Sequence, residues 1–178
     1  MRGAARLETN LASMAFIHAP TPHGNKIPVL HYKGLRPAAP EQEETMSYYR
    51  LFYHFVWSVK ERHPLILPKF EAGLYRVMAA KVIEFDGIVH AIGGVEDHVH
   101  LAVTVPPKHS LSRFIGEVKG GSSHFVNHVV KPDFEFYWQN EYGVLSFGER
   151  NLSTIVRYIH NQKQHHVDGT IQKELEQV

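Results

Sequence analysis

Ile88-Val89-His90-Ala91-Ile92-Gly93-Gly94-Val95-Glu96-Asp97-His98-Val99-His100-Leu101-Ala102-Val103-Thr104-Val105 is the stretch that decides the fold. Ile88 to Gly94 reads as one strand and His98 to Val105 as a second, with a short acidic turn at Glu96-Asp97 between them. Pro106-Pro107 ends the second strand. Side chains alternate along a strand, so His98 and His100 project to one side. Val99, Leu101, Val103 and Val105 share the other, which is the composition of a core face.

Upstream, Ser47 to Val59 carries Tyr-Tyr-Arg-Leu-Phe-Tyr-His-Phe-Val-Trp-Ser-Val, and both of its alternate faces are largely apolar or aromatic. That predicts a central strand. Phe70, Leu74, Val77, Met78 and Val82 fall at helical spacing and predict a helix from Phe70 to about Glu84, before a turn at Asp86-Gly87. Downstream, Ser110 is placed to cap a helix that runs to about Val130. Gly120-Gly121 interrupts that helix and is expected to kink or split it. Phe134–Trp138 and Val144–Phe147 each read as short strands. Asn151 or Ser153 then starts one helix through about His166, and an amphipathic tail follows Gly169.

The resulting order, β-α-β-β-α-β-α, predicts an α+β domain of the ferredoxin-like split β-α-β type. Its sheet is antiparallel, and its helices cover the Val99/Leu101/Val103 face. The His face is left to a ligand or to another element. Residues 1–45 hold Pro20, Pro22, Pro28, Pro37 and Pro40 with no sustained period, and read as an irregular or disordered extension. Residues 46–178 hold the patterned domain, and Met46 is an alternative start.

The chain has no cysteine, which excludes disulfides and thiolate metal sites. A formal net charge of +1 permits nucleic-acid binding through a local patch without announcing it. No apolar run is long enough to span a membrane and no signal-peptide pattern is evident, so a cytoplasmic protein is the expectation.

Two imidazoles side by side on a rigid strand make two-thirds of a divalent-metal site. With 14 histidines in 178 residues, about one His-x-His arises by chance, so the pair reads equally as solvated side chains. His165 and His166 read as surface residues. Tyr158 and Gln162 lie four apart on the last helix and so share a face. A tyrosine can be a covalent nucleophile and a glutamine carbonyl can ligate a hard cation. Taken alone, the same two residues read more readily as a packed tyrosine with its hydroxyl at the rim and a solvated glutamine.

Glu96-Asp97-His98-Val99-His100-Leu101, followed about sixty residues later by Tyr158-Ile159-His160-Asn161-Gln162, resembles the HUH single-tyrosine transposases. These are the small insertion-sequence transposases and the REP-associated tyrosine transposases. Tyr53-His54-Phe55-Val56-Trp57 resembles the family's first strand, and Lys119-Gly120-Gly121-Ser122-Ser123 the Lys-x-x-Ser-Ser segment of its second helix. Trp138-Gln139, Tyr142-Gly143 and Ser146 resemble the stretch before its tyrosine helix. The likeness covers about residues 46–167. It departs at Glu141, near which a glycine is expected.

The resemblance implies DNA transposition through metal-dependent cleavage of single-stranded DNA. His98, His100 and Gln162 would hold Mg²⁺ or Mn²⁺. Tyr158 would attack the scissile phosphorus, giving a 5′-phosphotyrosine and a free 3′-hydroxyl. It further implies a homodimer and a DNA hairpin as partner. Lys119, Arg113, Arg157 and Lys163 are the candidate DNA contacts, with Lys60, Arg62, Lys108 and Arg150 as further surface cations. Two other readings fit the same residues. One is a non-catalytic nucleic-acid-binding module on this fold. The other is a metal-dependent hydrolase that uses His98 and His100 with a bound water.

Overall fold

The computed structural model describes residues 48–177. The extension assigned to residues 1–45 and the alternative start at Met46 lie outside the described residues. The elements are β1 (Phe52–Ser58), α1 (Pro68–Glu84), β2 (Ile88–Gly94), β3 (His98–Thr104), α2 (Leu111–His124), β4 (Gly143–Phe147), α3 (Leu152–His160) and α4 (Gln162–Asp168). The four strands form one sheet in the order β2-β3-β1-β4, and every neighbouring pair is antiparallel. This is the ferredoxin-like α+β architecture expected from the element order.

Register sorts the sheet into two faces. Val56 lies opposite His100 and Ser58 opposite His98, so these share a face with His54, Ala102 and, across β2, Ala91 and Gly93. The other face presents Phe55 and Trp57 beside Val99, Leu101 and Val103, all fully buried. Helices α1 and α2 cover it through Leu74, Met78 and Val82 on one side and Phe114, Ile115 and Val118 on the other. Removing water from this apolar area is the main stabilising term of the domain.

The His face is covered too, by α3. Ile155 and Ile159 pack onto Ala91 and Ala102 in a second, smaller core. The approach is close because the strand residues beneath are small. A Cβ at Gly93 would collide with the main-chain carbonyl of Ile159.

Four expectations need correction. Strand β1 begins at Phe52 rather than Ser47, because its partners end there: Phe52 pairs with Thr104 and Phe147, and Pro106-Pro107 stops β3. Phe134–Trp138 is not a strand. Among the described residues its ladder contact is a single bridge from Trp138 to Val59, and Asn127 instead clamps Phe136 by bonding both its N–H and its C=O at 2.8 Å. Gly120-Gly121 does not break α2, which runs on and widens into a π-helical turn over Phe125–Val130. Gly121 is small because the Lys81 stem of α1 crosses it, at 2.8 Å from a would-be Cβ. Finally, the helix expected through His166 breaks at Asn161 into α3 and α4.

Two glycine substitutions separate these roles. Gly93→Val should lift α3 from the sheet and cost about 1–3 kcal/mol, read as a fall of several degrees in Tm. Gly120→Ala, with open space around it, should gain about 0.5–1 kcal/mol. Equal Tm changes of the same sign would contradict this packing.

Candidate active site

His98 and His100 stand on β3 with 1% and 0% of their surface exposed. Each is oriented by a partner on Nδ1. For His98 it is the Asp97 carboxylate at 2.6 Å, itself within 3.4 Å of the Arg62 guanidinium. For His100 it is Nε2 of His54 on the adjacent strand, at 2.9 Å, with the two rings stacked. Both Nε2 atoms are thereby turned to one spot. A ring nitrogen held this way is the usual second layer of a metal-binding histidine.

Opposite lies the Glu176 carboxylate, with Oε2 at 3.2 Å from His98 Nε2 and 3.3 Å from His100 Nε2. Its Oε1 accepts the hydroxyl proton of Tyr158 and lies 3.3 Å from the Gln162 amide nitrogen. Tyr158 is buried at 2% exposure and meets the His100 ring edge-on, with centroids 6.0 Å apart. Its far side stacks on His165 at 4.9 Å. The break at Asn161 keeps Tyr158 and Gln162 together, because the Asn161 N–H still bonds the carbonyls of Arg157 and Tyr158.

Charges follow this arrangement. Burial alone would lower the His98 pKa, but Asp97 and Glu176 overcome it and push it up to about 9. Burial holds His100 below the ordinary histidine value, against the pull of Glu176. Burial and then His100 push His54 down to about 3, so His54 is neutral. Glu176 is kept charged by His100 and His98 despite burial. Burial, then Glu176, raises the Tyr158 phenol.

Among the described residues, His98 Nε2, His100 Nε2 and Gln162 Oε1 are buried without a hydrogen-bond partner. The Gln162 oxygen and the neutral form of each imidazole offer a lone pair to a cation, and His98, whose proton Asp97 and Glu176 hold, must release it to do so. The donor set of two imidazoles and an amide oxygen therefore fits a divalent metal of the Mn²⁺ or Mg²⁺ class.

The candidate DNA contacts sit differently. Lys119 is turned inward and donates to the carbonyls of Gln139, Asn140 and Glu141 at 2.6, 3.0 and 3.1 Å. Ser122 accepts from the Trp138 indole at 2.9 Å, so the Lys-x-x-Ser segment anchors the 138–141 loop. That anchor uses main-chain carbonyls, and Glu141 is not among the residues with positive φ, so no glycine is needed there. Lys163 pairs with Glu71 of α1 at 2.6 Å. Arg113 and Arg157 are exposed.

Three residues of this site went unassigned in the sequence. His54 had a signal, since His54 and Ser58 are the polar positions on one face of β1. Asp97 had one in its place beside His98. Glu176 had none, being 76 residues from His100 in a short amphipathic tail. His166, read as a surface residue, is exposed but lies 4.9 Å from the His98 ring.

A sequence profile described as "Transposase IS200 like" matches residues 47–162. The chain belongs to the IS200-like transposase family. It is 27% identical over 120 residues to the ISDra2 transposase TnpA of Deinococcus radiodurans, covering 64% of this chain and 85% of that one. The fold is similar to a candidate transposase from Deinococcus radiodurans with a TM-score of 0.52 at 25% identity, over 72% of this chain and 98% of the other. A REP-associated tyrosine transposase bound to a REP hairpin shares the fold with a TM-score of 0.52 at 18% identity, over 68% of this chain and 74% of the other. These are HUH single-tyrosine transposases, the family the sequence motifs resemble. Among the described residues no helix is long and apolar enough to cross a membrane.

The transposase's lysine and arginine should separate by stability. Lys119→Ala should destabilise the domain by about 1–3 kcal/mol, because three carbonyls of the 138–141 loop lose their shared charged donor. Arg113→Ala should stay within about 0.5 kcal/mol. Urea unfolding of both variants checks this, and a silent Lys119→Ala would contradict the anchoring role.

Proposed function

We propose that this transposase cleaves and rejoins single-stranded DNA, with Tyr158 as nucleophile and with His98, His100 and Gln162 holding Mg²⁺ or Mn²⁺. The observation that carries the reading is the set of three buried, partnerless donor atoms beside a buried phenol. Bound there, a divalent ion neutralises phosphate charge and orients its oxygens.

The chain's own residues do the rest. Asp97 and His54 fix the two imidazoles by their Nδ1 atoms, leaving each Nε2 free. Tyr158 Oη forms a bond to the scissile phosphorus as the bond to the 3′ oxygen breaks. The phenolic proton leaves through an acceptor beside Oη, the 3′ oxygen is protonated, and the 5′ end remains on Tyr158 as a phosphodiester. Bond energy is conserved, so attack by another 3′-hydroxyl reverses the step without a nucleotide cofactor. The partner proposed is a hairpin-bearing single strand, read through its fold. A homodimer would hold two cleaved ends at once. The exposed Arg113 and Arg157 are proposed as phosphate contacts; for Lys119 and Lys163 the proposal requires that they leave their present partners.

Incubation with hairpin-bearing single strands and Mn²⁺ should give a denaturation-resistant protein–DNA adduct. Tyr158→Phe should abolish the adduct and retain binding. Cleavage by that variant at the wild-type rate would sink the nucleophile assignment. Binding by the wild-type chain with no adduct would instead mark a non-catalytic module, and turnover without an adduct would mark a hydrolase.

Orientation of the imidazoles has its own test. His54→Ala or Asp97→Ala should weaken Mn²⁺ binding by about 10–100-fold, measured by calorimetry. Unchanged affinity in both would contradict their role.

A further inference from the structure

We propose that Glu176, near the end of the chain, is a fourth protein ligand to the metal of the DNA-free protein. This rests on the metal-site reading above. It adds a negatively charged donor, from a distant part of the sequence, to a set that is otherwise neutral.

The geometry is that of donors around an ion. Neighbouring ligand atoms at about 2.0–2.2 Å from a common cation stand roughly 2.8–3.6 Å from each other in octahedral or tetrahedral arrangements. The Glu176 Oε2 separations from His98 Nε2 and His100 Nε2, 3.2 and 3.3 Å, fall in that interval. Neither nitrogen makes a well-directed hydrogen bond to the carboxylate, although both are buried beside it. Metal binding requires both imidazoles to be neutral, and their Nε2 atoms face the same carboxylate oxygen. His166 stands at the rim, and one ligand atom each from His98, His166 and Glu176 lies within 4.8 Å of the others.

Glu176 is also held in place rather than trailing in solvent. Leu175 packs against the small core under α3. The Gln172 N–H donates to Tyr158 Oη at 3.2 Å. A Cβ at Gly143 would collide with the Gln177 carbonyl, so the tail lies hard against the start of β4. These contacts fix the carboxylate with one oxygen toward the histidines and the other on Tyr158 and Gln162.

In charge terms, two neutral imidazoles and an amide attract a divalent ion less than a set that includes a carboxylate. A phosphate oxygen of bound DNA is the anion that would compete with this carboxylate for the ion. DNA then replaces one anionic ligand with another at the metal.

The test is Mn²⁺ binding to the full chain without DNA, by calorimetry, with circular dichroism and Tm as fold controls. Glu176→Ala should weaken binding at least about tenfold. Glu176→Gln retains an oxygen and a hydrogen-bonding amide but no charge, and should weaken it less; it carries the test if Glu176→Ala fails to fold. Folded variants that bind Mn²⁺ as tightly as wild type, or more tightly, would overturn the assignment and make Glu176 a plug instead. Wild-type protein that binds no Mn²⁺, or a His98→Ala variant that binds it equally well, would overturn the metal-site reading itself.

Discussion

The site depends on how closely one helix can approach a sheet. The Ile159 carbonyl of α3 lies where a Cβ at residue 93 would be, and Ala91 and Ala102 leave the rest of that strip shallow. Large residues there would hold α3 away and separate Tyr158 from His100. With glycine and alanine, the helix settles on the His face, and its next turn delivers Gln162. The opposite face needs bulk instead, and there Trp57, Phe55 and Leu101 fill the space under α1 and α2. One sheet thus carries a deep apolar core on one side and a thin layer with polar chemistry on the other.

That thin layer concentrates three imidazoles and two carboxylates where little water reaches. Burying such groups is costly unless they are paired. Here the pairing is sequential: Arg62 with Asp97, Asp97 with His98, His54 with His100, and Glu176 facing both Nε2 atoms. The last two links leave His98 Nε2 and His100 Nε2 facing one carboxylate oxygen without a hydrogen-bond partner, as expected of a site built to receive a cation.

Much of the fold was legible because strand phase and helical spacing are local. The His98/His100 face, the strand at Ile88–Gly94 and the helix over Phe70–Glu84 follow from residues within one segment. The order of elements then limits the topology. What failed was context. Phe134–Trp138 has strand-like residues but meets the sheet at one bridge, and Asn127 takes the main-chain groups of Phe136. Gly120-Gly121 looked like a break, but tertiary packing against Lys81 overrides the propensity of that pair. In the site, Tyr158 and Gln162 were findable by spacing, and His54 by the phase of β1. Glu176 was not, because only the folded tail brings it beside the histidines.

The central claim is that His98 and His100 present two Nε2 atoms to one metal ion. Pulsed electron paramagnetic resonance of the Mn²⁺-loaded wild-type chain tests it directly, through coupling of the electron spin to nitrogen. The account predicts couplings from two directly bound imidazole nitrogens. A spectrum of Mn²⁺ surrounded by water alone, with no nitrogen coupling, would contradict it.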